Sequence, residues 1–208
     1  MTARVVTVGA AEGGGNDEAP ALAVARALRA EGVPVVARMV VDEDEAALES
    51  VLAPAVGESG LVVVLAPPGG SGGDVVRRVL ARLAGVRLVL SERLLRVLED
   101  EHARRGRALP RRLERLALLP QGAQLWIEGE DGAAASGGWS LELRAAVVAV
   151  LSLAAADLGA VLERHLRPDH QHDVFHDGVV ELLSGLGVDG PGEINAGDDR
   201  ADVLLDLG

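Results

Sequence analysis

Continuous apolar runs of about five residues alternate along this chain with stretches whose apolar positions recur every three or four residues. That alternation predicts strand, helix, strand, helix, strand over the first third. Arg4 to Val8 reads as a first strand, GAAEGGGND as a flexible turn, and Pro20 to Glu31, with Leu22, Ala25 and Leu28 on one face, as a helix stopped by Gly32. Val33 to Val41 reads as a second strand, and Asp42 and Asp44 are candidate caps for the helix bearing Ala47, Leu48, Val51 and Leu52. Leu61 to Leu65 has no polar position at all, which suits a strand covered on both faces. Three βα units in succession predict a parallel sheet with right-handed crossovers.

The rhythm is less regular further on. Val86 to Leu90 is a short apolar segment, Ser91 is placed to cap a helix carrying Leu94, Leu95 and Leu98, and Gly106 to end it. Pro110 opens another short helix through Leu118, and Gln124 to Ile127 reads as an edge strand. Trp139 to Leu143 and Ala146 to Leu151 are further strands, followed by a helix from Ala155 to His165. Pro168 marks a boundary. The division expected is a main domain over residues 1–167 and a small α+β subdomain over 168–208, with a helix around Val179 to Leu186 and a strand from Ala201 to Leu207. No internal repeat is present.

Function is best sought after the third strand, because loops at the carboxyl ends of parallel strands line the crevice at a switch point. Pro67 and Pro68 stop that strand, and Gly69, Gly70, Gly72 and Gly73 permit backbone conformations closed to other residues. Asp74 is expected to begin the helix carrying Val75, Val76, Val79, Leu80 and Leu83. Such a loop can cradle an anion, but it is no Walker loop, since that pattern needs a lysine and the chain has none.

Composition narrows the chemistry. A 49% apolar fraction builds a core easily, with Trp126, Trp139 and Phe175 as the only aromatics. That scarcity and a net charge of −12 argue against single- or double-stranded nucleic acid as a partner. The absence of cysteine, lysine and tyrosine removes thiolate, Schiff-base and phenol chemistry and leaves Ser, Thr, His and carboxylates. The N-terminus reads as a strand rather than a signal peptide, and no apolar run approaches the ~20 residues that span a bilayer. The expectation is a cytoplasmic protein that does not enter a membrane.

The order of segments resembles the molybdopterin-binding domain family, in the form found at the N-terminus of competence/damage-inducible (CinA-type) proteins. The resemblance runs from about residue 4 to 165. It rests on Thr7 to Gly9, the helix ending Arg26-Ala-Leu-Arg-Ala-Glu-Gly32, Val40-Val-Asp-Glu-Asp44, Ser91-Glu92, Arg104-Arg-Gly-Arg-Ala-Leu-Pro110 and Leu118-Leu-Pro-Gln-Gly-Ala123. It implies a three-layer α/β sandwich with a mainly parallel central sheet, a pterin or adenine-nucleotide ligand, and self-association as a homodimer or higher homo-oligomer. It also implies chemistry at a nucleotide or pterin phosphoanhydride. The family's ligand loops match poorly. Its G-G-L-G-P-T-x-D-D loop stands here as Ala66-Pro-Pro-Gly-Gly-Ser-Gly-Gly-Asp74, and its N-P-x-G-T-A-P-G as Gly129-Glu-Asp-Gly-Ala-Ala-Ala-Ser136. Its L-P-G-V-P-x-E-M stands as Leu151-Ser-Leu-Ala-Ala-Ala-Asp-Leu158, and its first loop has no acid directly after Gly9. Loss confined to the loops predicts a degenerate pocket in which pterin or nucleotide binding is weak or lost.

Gly69, Gly70, Ser71, Asp74 and Asp42 are the ligand-binding positions that the resemblance implies. Asp42 and Asp74 match aspartates that hold a divalent cation in adenylyl-transferring relatives, so magnesium is the implied cofactor of an enzymatic reading. The alternative is that each aspartate is a helix cap and Ser71 a turn hydroxyl. Outside these loops, His165, Asp169, His170, His172, Asp173, His176 and Asp177 form the densest set of metal-ligand types, in a segment whose composition also fits a surface linker. The arginines at 104, 105, 107, 111, 112 and 115 either receive an acidic partner or pair with the chain's own Glu99 to Glu101.

Overall fold

A computed structural model of the protein describes residues 1–9, 19–67, 69–128, 135–153 and 157–166. The expected alternation is present: β1 (Ala3–Val8), α1 (Ala19–Ala30), β2 (Val35–Val41), α2 (Glu45–Glu58), β3 (Leu61–Ala66) and α3 (Gly70–Ala84). There follow β4 (Leu88–Leu90), α4 (Glu92–Arg104), α5 (Arg111–Glu114), a 3-10 turn Arg115–Ala117, β5 (Leu118–Pro120), β6 (Gln124–Glu128), β7 (Ala135–Leu143), β8 (Ala146–Ser152) and α6 (Leu158–Leu166). The helix expected around Val179 and the strand expected from Ala201 lie outside the described residues, as do Ala155 and Ala156.

The central sheet has the order β2-β1-β3-β8-β7-β6. β2, β1, β3 and β8 run parallel, and β7 and β6 are added antiparallel as a meander. β6 is an edge strand, as its sequence indicated. β3 lies between β1 and β8 in unbroken register, Leu61 to Leu65 facing Ala3 to Thr7 on one side and Val147 to Leu151 on the other. Its six side chains are each 3% exposed or less, so both faces are covered, as its uninterrupted apolar run requires. On one face Val24 and Leu28 of α1 and Leu158, Val161 and Leu162 of α6 close over Val5, Val63 and Leu65. On the other, Leu48 and Leu52 of α2, Val76, Val79 and Leu80 of α3, and Leu94 of α4 close over Val6, Val62 and Val64. The result is the three-layer α/β sandwich with a mainly parallel sheet.

Several boundaries differ from the sequence reading. α3 begins at Gly70, not Asp74: poor intrinsic helix propensity is overridden because Val75, Val76, Val79 and Leu80 bury one face, while Gly70 takes a φ of 77° that favours glycine. Pro54 lies inside α2, and burial of Ala55 and Val56 carries the helix past it to Glu58. The Val86 to Leu90 segment supplies β4, which pairs with β5 in a separate antiparallel ladder. The helix expected from Pro110 through Leu118 stops short of β5, which takes Leu118 as its first residue and whose three residues carry too little pattern to declare a strand. The two-residue β7–β8 turn, Arg144-Ala145, has φ of 59° at Arg144, and no turn-favouring residue announced it.

Candidate functional site

The sheet order makes β1 and β3 the place where the chain turns from one side of the sheet to the other. The crevice at their carboxyl ends is therefore the expected ligand position of this architecture. Three segments meet there: Gly9 after β1, the turn Asp42–Asp44 between β2 and α2, and the start of α3 after β3. The backbone N–H of Gly9 donates to the Val41 carbonyl at 2.9 Å, which ties the first segment to the second.

The residue that occupies this crevice is Glu43, which sequence reasoning passed over between two aspartates. Ser71 Oγ, in the first turn of α3, donates a hydrogen bond to Glu43 Oε2. Glu43 also approaches two glycines closely. A methyl group at Gly9 would stand 3.1 Å from Glu43 Oε1, and one at Gly72 would stand 2.8 Å from the same oxygen and 2.9 Å from Pro67 Cγ. A Cβ at Gly72 would have to move Glu43 and Pro67 aside, so glycine there permits their close approach. Glu43 and Ser71 are both solvent-exposed. No helix cap is supplied by the preceding residue, because Gly69 has no side chain to offer.

The two aspartates named from sequence have different fates. Asp44 is the residue that caps α2, its Oδ1 accepting from Ala47 N at 2.9 Å, while Asp42 is exposed just beyond the end of β2. Asp74 is not a cap, since α3 has already begun four residues before it. Ser71, Asp74 and Arg77 succeed one another at intervals of three along α3 and so share a face. Asp74 accepts a hydrogen bond from Arg77 Nη2 and lies 3.5 Å from Arg115 Nε. Arg77 is buried, with 6% exposure. Burial pushes its guanidinium below the ordinary value, and the hydrogen bond and charge of Asp74 hold it up. Two guanidiniums share this one carboxylate, an arrangement visible in sequence only as an i,i+3 pair for Arg77 and not at all for Arg115.

The remaining named residues lie elsewhere. Gly69 stands under Leu116, whose Cδ2 would be 3.1 Å from an added methyl group. Arg105 pairs with Glu101 at 2.7 Å, in line with self-pairing of the arginine run, whereas Arg115 serves the crevice. Of the histidine-rich set only His165 is described; its ring stacks on Trp126 at 4.9 Å between centroids. Asp169, His170, His172, Asp173, His176 and Asp177 lie outside the described residues. No group of three or more metal-ligand side chains occurs among the described residues, and none of their helices is long and apolar enough to cross a membrane.

No family model matches the chain. In fold it is similar to CinA, of unknown function, from Thermoplasma acidophilum, with a TM-score of 0.64 and 21% identity over 80% of this chain and 96% of that one. It is also similar to the molybdopterin biosynthesis Mog protein of Mycobacterium ulcerans, with a TM-score of 0.50 and 15% identity over 83% of this chain and 98% of that one. The fold is therefore that of the class to which CinA and the Mog proteins conform. Within that class the sequence relatives are CinA-like proteins. A CinA-like protein of Geobacter sulfurreducens is 37% identical over 102 residues, 49% of this chain. A protein of Symbiobacterium thermophilum named as competence-damage inducible is 35% identical over a segment of the same length. The matched segment spans about a quarter of the length of these curated relatives.

Proposed function

We propose that this chain carries a CinA-like domain of the molybdopterin-binding class whose crevice binds pterin or adenine nucleotide weakly or not at all. The observation that carries this reading is the position of Glu43, a carboxylate of the chain itself, where the crevice would receive an anionic group. The phosphates of an incoming ligand would meet that charge at close quarters, although Glu43 and Ser71 are both exposed and water screens much of the repulsion.

A metal-assisted reaction at a phosphoanhydride is disfavoured by the same geometry. Asp74 already neutralises a buried guanidinium and lies beside a second, and although Asp42, Glu43 and Asp44 are exposed carboxylates of one turn, no group of three or more metal-ligand side chains forms among the described residues. The described residues alone do not assemble a site for the cation. Titration calorimetry of the full chain with ADP-ribose and with ATP and magnesium tests the reading. Little or no heat is expected, and micromolar binding that Asp74→Ala abolishes would overturn it.

A second reading is a homo-oligomeric interaction module, and edge strand β2 favours it. Val36 and Val40 there are 55% and 67% exposed on a strand with no neighbour on its outer side among the described residues. Light scattering across a concentration series is expected to show a dimer or larger species. A monomer at every concentration would end this reading. A cytoplasmic setting accords with both.

A further inference from the structure

The arginine run after α4 divides into two kinds of residue. Between residues 103 and 115 stand six arginines and one acid, Glu114, in a chain whose net charge is −12. Arg104 Nε donates to the Asp100 carbonyl at 3.4 Å, Arg105 pairs with Glu101 at 2.7 Å, and Arg115 lies 3.5 Å from Asp74. Arg107, Arg111 and Arg112 are exposed and form no ion pair among the described residues, although Glu99 to Glu101 are near in sequence. The backbone that carries them is held in place. α4 ends in a doubly bonded cap, with Gly106 N–H donating to the Ala103 carbonyl at 2.8 Å, Arg107 N–H to the His102 carbonyl at 3.0 Å, and Gly106 at a φ of 68°. Pro110 then opens α5, its carbonyl accepting from Leu113 N–H at 2.8 Å.

We propose that Arg107, Arg111 and Arg112 form a docking surface for an acidic protein segment, one that presents Asp and Glu side chains in succession. The three guanidiniums lie between residues 107 and 112 with no acid among them, so a carboxylate arriving there meets positive charge and no competing carboxylate from that stretch. A guanidinium takes a carboxylate through two parallel hydrogen bonds, and a loop already fixed at both ends loses less freedom on docking than a mobile one. Nucleic acid fits the surface less well. Residues 103–115 hold no aromatic side chain on which a base could stack, and the net charge of the chain repels a long polyanion. Docking there is independent of what the crevice binds.

The test follows the fluorescence anisotropy of a labelled peptide of repeated Asp-Glu-Gly units as the full chain is added. The wild type is expected to bind it saturably, and less tightly as salt rises. Arg107→Gln, Arg111→Gln and Arg112→Gln together are expected to weaken binding at least about tenfold, through the loss of charge-assisted hydrogen bonds. Arg111→Glu with Arg112→Glu, a second route to the same loss, is expected to abolish it. Arg26→Gln with Arg29→Gln, which changes two exposed arginines of α1, is expected to bind as the wild type does. All three variants are expected to melt with the wild type, because the side chains changed are exposed. No saturable binding by the wild type, an equal loss in the α1 variant, or tighter binding of a single-stranded DNA oligonucleotide than of the peptide at the same salt would overturn the proposal.

Discussion

The interior of β3 and the crevice beyond its end are three residues apart and held by different physics. From Leu61 to Ala66 every side chain is buried against apolar neighbours, in contacts that are non-directional and that another residue of similar volume would satisfy. From Gly69 to Asp74 the contacts are few, directional and polar: Ser71 on Glu43, Asp74 on Arg77 and Arg115. The first kind explains how the chain adopts the fold of Thermoplasma acidophilum CinA at 21% identity. The second is specified one residue at a time, so a single substitution there changes which polar groups the loop presents.

The largest effect is expected inside the sheet. Leu65→Ala removes a fully buried side chain from between β3 and α1, and should lower the unfolding free energy by about 2–5 kcal/mol in urea denaturation. Its ligand behaviour should stay that of the wild type. Asp74→Ala comes next, with an expected loss of about 2–3 kcal/mol, because it leaves the buried Arg77 guanidinium without its partner. Adding Arg77→Leu should recover most of that loss. A single-mutant loss no larger than a surface substitution would place the pair on the solvated side of the comparison.

Gly72→Ala should cost about 1–2 kcal/mol, because the new methyl group forces Glu43 and Pro67 aside by more than the helix gains from alanine. Its amide spectrum should change around Gly9 and Ser71 while β3 signals stay in place. The smallest effect belongs to the exposed network in which Glu45 accepts from Arg78 and Arg82, with Arg82 also reaching Glu49. Hydrogen bonds from Arg78 and then Arg82 hold the Glu45 carboxyl below its ordinary value of 4.5. Its folded pKa being depressed, any stability it adds is present above pH 4.5 and is lost as pH falls through the lower folded value. The melting temperatures of wild type and Glu45→Gln should therefore differ slightly near neutrality and converge in acid. A gap that persists below that range would contradict the assignment.

How much of this was legible in the sequence follows the same division. β1, α1, β2, α2 and β3 could be read because burial imposes a period, and Leu61 to Leu65 declared its two covered faces outright. The caps Asp44 and Ser91 were readable because a cap is local, its partner three residues on. The start of α3 was misplaced because propensity at Gly70 to Gly73 points away from helix, whereas the decision was made by the buried face further along. Glu43 lies in the Val40 to Asp44 segment of the resemblance but was passed over, since its contact with Ser71 spans 28 residues and depends on the register that brings β1, β2 and β3 side by side. Arg115 was hidden likewise, as one arginine among six until the 3-10 turn carried it to Asp74.

The most direct measurement is the set of backbone amide shifts of Gly69 to Gly73 in the wild-type protein as ADP-ribose is added. The weak-binding reading predicts no saturable movement up to millimolar ligand. Saturation of those amides in the micromolar range would contradict it.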